Sequence, residues 1–172
     1  MANTFELIAS STVVTPASTI DFTSIPSTFT DLCVKYSARG TGTSDTWDLG
    51  KLRFNGSSSG YTTRYLQGNG SAAASNNDSS DSIVFLYMSN ANATANSFSS
   101  NELYIPNYAG SSYKSVSSDF VVETNATATL MGLVAGLWSN TAAINQLTLY
   151  AKSGFNFAAN STAYLYGVNK NA

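Results

Sequence analysis

Residues 31–39, DLCVKYSAR, set Leu32, Val34, Tyr36 and Ala38 at every second position, with Asp31, Cys33, Lys35, Ser37 and Arg39 between them. Successive side chains of an extended strand point to opposite faces, so a period of two buries one face and wets the other. The pattern returns along the chain. In GKLRF, Leu52 and Phe54 oppose Lys51 and Arg53; in ELYIP, Leu103 and Ile105 oppose Glu102 and Tyr104; in QLTLYA, Leu147 and Leu149 oppose Thr148 and Tyr150. Two uninterrupted apolar runs, SIVFLYM and LMGLVAGLW, fit central strands covered on both faces. No window carries a capped i, i+3, i+4, i+7 stripe, so little helix is expected.

Turn-forming clusters separate these runs at short intervals: RGTGTSD, NGSSSG, GNGSAAASNNDSSD, NYAGSS, SNTAA and KSGFN. Eight to ten short strands with that spacing predict an all-β chain, a single antiparallel sandwich or barrel. Asn55-Gly56 and Asn69-Gly70 supply the positive φ that tight hairpins need, so NGSSSG is expected to be a hairpin bend. It is not a phosphate cradle, because the lysine of that motif, the following helix and the parallel βαβ unit are all missing. Residues 69–82 form the longest low-complexity stretch and are expected to be a loop. No repeat or linker divides the sequence. At 172 residues it reads as one domain, 1–172, with the first ~15 residues an arm or the first strand.

Composition removes several function classes. Charged residues make up only 10% of the chain, where about 25% is usual, and Ser, Thr, Asn and Gly take their place. Such a surface can pack against neighbours with few charges to desolvate. The net charge of −2 argues against nucleic-acid binding. Lys35, Arg39, Lys51, Arg53 and Arg64 read as a solvated sheet face. The run ATLMGLVAGLW holds Gly132 and Gly136 at a membrane-helix spacing, but its eleven residues fall short of the ~20 a helix needs to cross a bilayer. The start MANTFELIASS lacks the features of a secretory signal. The lone cysteine, Cys33, allows no internal disulfide.

Chemistry is sparse. The chain has no histidine, which removes the commonest general base and the usual zinc sites. Cys33, with no imidazole near it in sequence, reads as a small filler residue. Asp45 with Asp48, and Asp78 with Asp81, could act as paired carboxylates, but both pairs sit in Ser/Asn-rich segments and read as turn formers. NNDSSD (76–81) lacks the spacing and closing glutamate of a calcium loop. No metal, cofactor or catalytic residue is expected. For contact with a sugar or a protein partner, the flat, polar-tipped rings of Trp47, Tyr61, Tyr65, Tyr108, Tyr113 and Trp138 are the candidates.

Four segments together resemble a known group: IDFTSIPSTFTDLCVKYSAR, LRFNGSSSGYTTRYLQGNG, GLWSNTAAINQLTLYAKSG and STAYLYGV. The chain resembles small β-sandwich virion proteins of tailed bacteriophages, especially those of marine bacteria and cyanobacteria, over roughly residues 18–168. The resemblance implies a jelly-roll-like sandwich and a structural place in the virion, assembled in the host cytoplasm. It supplies no site residues. The expected role is a capsid decoration (cement) protein with other virion proteins as partners, as a homo-oligomer, touching neither nucleic acid nor membrane. A tail-fibre or tail-tip domain, or a glycan-binding module, are the alternatives. The apolar strand ending at Trp138 sharpens the expectation. Leu130, Val134 and Trp138 share one face and Met131, Leu133, Ala135 and Leu137 the other; one face belongs to the core, and the other needs cover from loops or from a partner.

Overall fold

The computed structural model describes residues 4–125, 129–152 and 154–169. Twelve strands follow in chain order: β1 (Phe5–Thr12), β2 (Thr19–Phe22), β3 (Asp31–Ser37), β4 (Trp47–Phe54), β5 (Tyr61–Gly68), β6 (Ala73–Asp78), β7 (Ile83–Ser89), β8 (Ser100–Ile105), β9 (Lys114–Val122), β10 (Leu130–Trp138), β11 (Leu147–Ala151) and β12 (Thr162–Val168). The described residues contain no helix. The strands build two antiparallel sheets, one of eight in the order β1-β12-β3-β8-β9-β10-β5-β6 and one of four in the order β2-β11-β4-β7. The all-β sandwich is therefore the fold, with more strands than the eight to ten expected. β1 supplies the first strand.

The alternation does what its period requires. Leu32, Val34 and Tyr36 of β3, Leu52 and Phe54 of β4, Leu103 and Ile105 of β8, and Leu147 and Leu149 of β11 all enter one core between the sheets. In β10 the core side is Leu130, Val134 and Trp138. Thr127 and Ala128, at the head of that expected strand, lie outside the described residues. Gly132 and Gly136 share this inward side. A Cβ built on Gly132 would stand 2.6 Å from the Phe120 ring, and one on Gly136 would stand 2.8 Å from Ile83. In a strand, the four-residue glycine spacing gives up side-chain room to neighbouring core residues.

Three expectations need correction. NGSSSG is not a hairpin, because β4 belongs to the four-stranded sheet and β5 to the eight-stranded one. Asn55 (φ 51°) and Gly56 (φ 66°) do take the left-handed conformation, but they turn the chain from one sheet to the other. Longer-range bonds direct that corner. The Asn55 side chain donates to the Ala143 carbonyl (2.8 Å) and accepts from the amides of Asn145 and Gln146 (3.0 and 3.1 Å). Tyr61 Oη accepts from the Phe54 amide (2.9 Å), tying the two ends together. Residues 69–82 are not all loop. Asn69-Gly70 makes the true hairpin, and β6 pairs with β5 from Gly68↔Ala73 to Thr63↔Asp78. The third correction concerns β10, which is covered on one face only.

Candidate functional site

The two outer faces of the sandwich differ in kind. On the four-stranded sheet, Lys51 and Arg53 of β4 and Thr148 and Tyr150 of β11 face outward beside a partly buried Leu49, and they engage neighbouring side chains. Lys51 and Arg53 both pair with Asp81, the Arg53 guanidinium lies 4.8 Å from the centre of the Tyr150 ring, and Thr148 donates to Asp21 (2.6 Å).

The eight-stranded sheet has the opposite character. Among the described residues, nine large apolar side chains stand exposed, and seven of them share this one outer face: Phe5, Leu7, Leu66, Val121, Met131, Leu133 and Tyr164. Register explains the grouping. Leu133 lies opposite Leu66 of β5 on one side and Asp119 of β9 on the other, while Met131 lies opposite Val121. An aliphatic cluster therefore spans β9, β10 and β5, around a shallow groove of about 400 Å³. Met131 and Leu133 are 62% and 61% exposed, which is far from the interior position that an apolar run suggests. Among the described residues, no loop covers them. At the far end of the sheet Phe5 meets the edge of Tyr166 (ring centres 6.4 Å apart), with Tyr164 beside it.

Between these ends lies a charged band. Lys35 pairs with Glu102 (2.9 Å), and the Glu102 amide donates to Asp119 (3.1 Å). Tyr104 donates to Asp31 (2.5 Å), and that bond pushes its phenol up to about 12. Cys33 sits under this band, fully buried, with Tyr104 and Tyr166 opposite it on the neighbouring strands. Burial first, and the Glu102 carboxylate second, push its thiol up to about 11, so it stays a neutral filler at ordinary pH.

The aromatic residues singled out in the sequence do not assemble into a surface. Tyr61, Tyr108 and Trp138 are buried in the core, where Tyr61 stacks on Trp138 at 6.0 Å and Tyr108 Oη donates to the Pro26 carbonyl. Trp47 and Tyr65 pack partly buried against that core, and Trp47 meets Tyr87 edge-on at 4.8 Å. Tyr113 alone of the six is exposed, in the loop before β9. The basic residues form no common face either. Lys51 and Arg53 lie on the small sheet, Lys35 and Arg64 on the large one, and Arg39 bonds the carbonyls of Thr94, Ser97 and Ala93 (2.9, 2.8 and 3.0 Å).

The carboxylates have separate structural tasks. Asp48 is buried and accepts from the Gly42 amide (2.8 Å) and the Asn90 side chain (3.2 Å). Burial raises its carboxyl above the usual range. Asp81 anchors Lys51 and Arg53. Sequence reasoning missed Lys114, which is fully buried and donates to the carbonyls of Gly110, Ser112 and Thr141 (3.4 Å to the last). Among the described residues, no three His, Cys, Asp or Glu side chains come together as a metal site. No family model, no curated protein and no solved structure matches this chain.

Proposed function

We propose that this chain is a structural component of a bacteriophage virion, a capsid decoration protein that adheres through surface complementarity and catalyses nothing. The virion assignment rests on the resemblance of its strand segments to small phage sandwich proteins. The observation that carries the adhesive role is the contrast between the two outer faces. One face has its charges internally paired, and the other gathers seven exposed large apolar side chains. Monomers seldom leave a large apolar patch to water, and a one-sided patch on a rigid sheet suits permanent attachment. The nearly uncharged surface adds to this, since little ion desolvation opposes contact.

Quantitative mass spectrometry of purified virions tests the placement. Hundreds of copies per particle fit a shell protein, whereas a few to a few dozen would move the chain to the tail. A salt wash tests the mode of attachment. An apolar contact holds in ~1 M salt, where the Debye length is about 3 Å. Release at moderate salt would assign attachment to charged residues instead.

A further inference from the structure

We infer that Asn69-Gly70 is a site of spontaneous covalent modification, where the folded chain exchanges the Asn69 carboxamide for a carboxylate, and that the fold protects Asn55-Gly56 from the same reaction. Both sites read Asn-Gly-Ser, so local sequence alone would make them equals. The reaction is attack by the main-chain nitrogen of the glycine on Cγ of the asparagine before it. Glycine favours it because no Cβ crowds the approach. A Cβ built on Gly56 or on Gly70 would meet nothing within 4 Å, so the space around the glycines does not distinguish the sites either. The asparagine side chains do.

Asn69 is exposed, and its hydrogen bonds are all local. Its Oδ1 accepts from the amides of Ser71 (3.0 Å) and Ala72 (2.8 Å), and its own amide donates to the Ala72 carbonyl (3.2 Å). Bonds to the residues two and three further on fold the carboxamide over the peptide unit it would react with. The same two amides draw charge onto Oδ1 and would hold the oxyanion that forms as nitrogen adds to Cγ. Nδ2, the leaving group, has no partner among the described residues. The Asn55 carboxamide instead reaches a distant loop. Its Nδ2 donates to the Ala143 carbonyl (2.8 Å), and its Oδ1 accepts from the amides of Asn145 (3.0 Å) and Gln146 (3.1 Å). Attack by Gly56 would require it to give up all three bonds, and with them the corner between the two sheets.

The step balances with water as the only co-reactant. The Gly70 amide gives its proton to solvent base, its nitrogen bonds to Cγ, and the Cγ–Nδ2 bond breaks to release ammonia, which takes its third proton from solvent. Water then opens the cyclic imide. Cleavage of the bond to Cγ leaves an aspartyl residue. Cleavage of the bond to the main-chain carbonyl carbon leaves an isoaspartyl residue, with a methylene added to the backbone of the hairpin. Either product adds a negative charge to a chain whose net charge is −2. Its place gives that charge a consequence. Gly68, directly before Asn69, lies opposite Met131, so the carboxylate arises at the rim of the apolar face and must be desolvated by any contact that covers this rim.

Peptide mapping by mass spectrometry follows both asparagines in one sample of the folded full chain, aged in mildly alkaline buffer and digested at acid pH. Asn69 should convert at least about 10-fold faster than Asn55, a barrier difference of about 1.4 kcal/mol. In denaturant both side chains lose their folded partners, and the two rates should converge to within about 3-fold. Isoelectric focusing reads the same event as an acidic species that grows with age and that Asn69→Gln removes. Circular dichroism checks that the aged chain and the variant remain folded. An unconverted Asn69, an Asn55 that converts as fast in the folded chain, or a rate difference that survives denaturant overturns the proposal. So does an acidic species that persists in Asn69→Gln. None of these outcomes bears on the virion reading, which the copy number per particle tests separately.

Discussion

Replacing Lys114 with methionine tests how a buried cation can be tolerated without a carboxylate. The ammonium sits at the start of β9 and donates to three backbone carbonyls, those of Gly110 and Ser112 in the preceding loop and Thr141 beyond β10. Methionine keeps most of the stem volume but offers no donor. Three backbone acceptors then lose their donor, at about 1 kcal/mol each at the low end of such penalties, or ~3 kcal/mol together. The released desolvation cost works the other way. It is visible in the ordinary lysine pKa being pulled down by burial, so ~3 kcal/mol is an upper-side figure. For a domain of this size, that corresponds to a loss of about 6–12 °C in Tm. Thermal unfolding followed by circular dichroism reads it, with Lys152→Met at an exposed position as a control expected to stay within about 0.5 kcal/mol of wild type. An unchanged or higher Tm for Lys114→Met would mean that those carbonyls reach water, and the cage argument would be refuted.

Gly132→Ala should cost about 1–3 kcal/mol in urea unfolding, because its Cβ would enter the Phe120 ring and the Leu66 carbonyl; a neutral result would show that β10 and β5 can separate freely. Asp48 binds its proton more tightly folded than unfolded, so its contribution to stability is full below the ordinary carboxylate range and is lost as pH rises through the raised folded value. Asp48→Asn should remove that segment of the Tm–pH curve, and parallel curves for variant and wild type would sink the assignment. Asp81→Ala should change stability by at most about 1 kcal/mol, because the pairs it makes with Lys51 and Arg53 are partly exposed; a much larger loss in chemical unfolding would make that face a structural keystone.

What the sequence made legible was local. β3, β4, β8 and β11 could be read because their inward residues are mostly apolar and their outward ones mostly are not, and β10 because it is one apolar run. β9 hides because Lys114 and Ser118 hold inward positions, and only the finished structure provides the carbonyls that make Lys114 tolerable there. β6, AASNND, has no apolar signal and becomes a strand by pairing with β5. In β5 the usual rule is reversed, with Thr63 buried and Leu66 exposed. Alternation divides a strand into two faces but does not say which faces solvent. The site was misread for the same reason. Large aromatic rings drew attention to Tyr61, Tyr108 and Trp138, whereas the open face is made mainly of ordinary aliphatic residues that only cross-strand register brings together. Asn55-Gly56 announced its positive φ, yet the sheet its chain would enter next depends on partners about ninety residues away.

The position of β12 bears on how the chain can be made. It lies between β1 and β3, and both of those strands use it to close their ladders. During synthesis β1 leaves the ribosome among the first residues of this sequence and then has no neighbour in the sheet until β12 arrives. Its Phe5 and Leu7 stay solvent-exposed throughout that wait, next to an unpaired backbone edge. Pairings of such long sequence separation are slow to form. A nascent chain stalled before residue 162 should therefore be an efficient substrate for holdase chaperones, and its affinity for them should fall sharply once Thr162–Val168 has emerged.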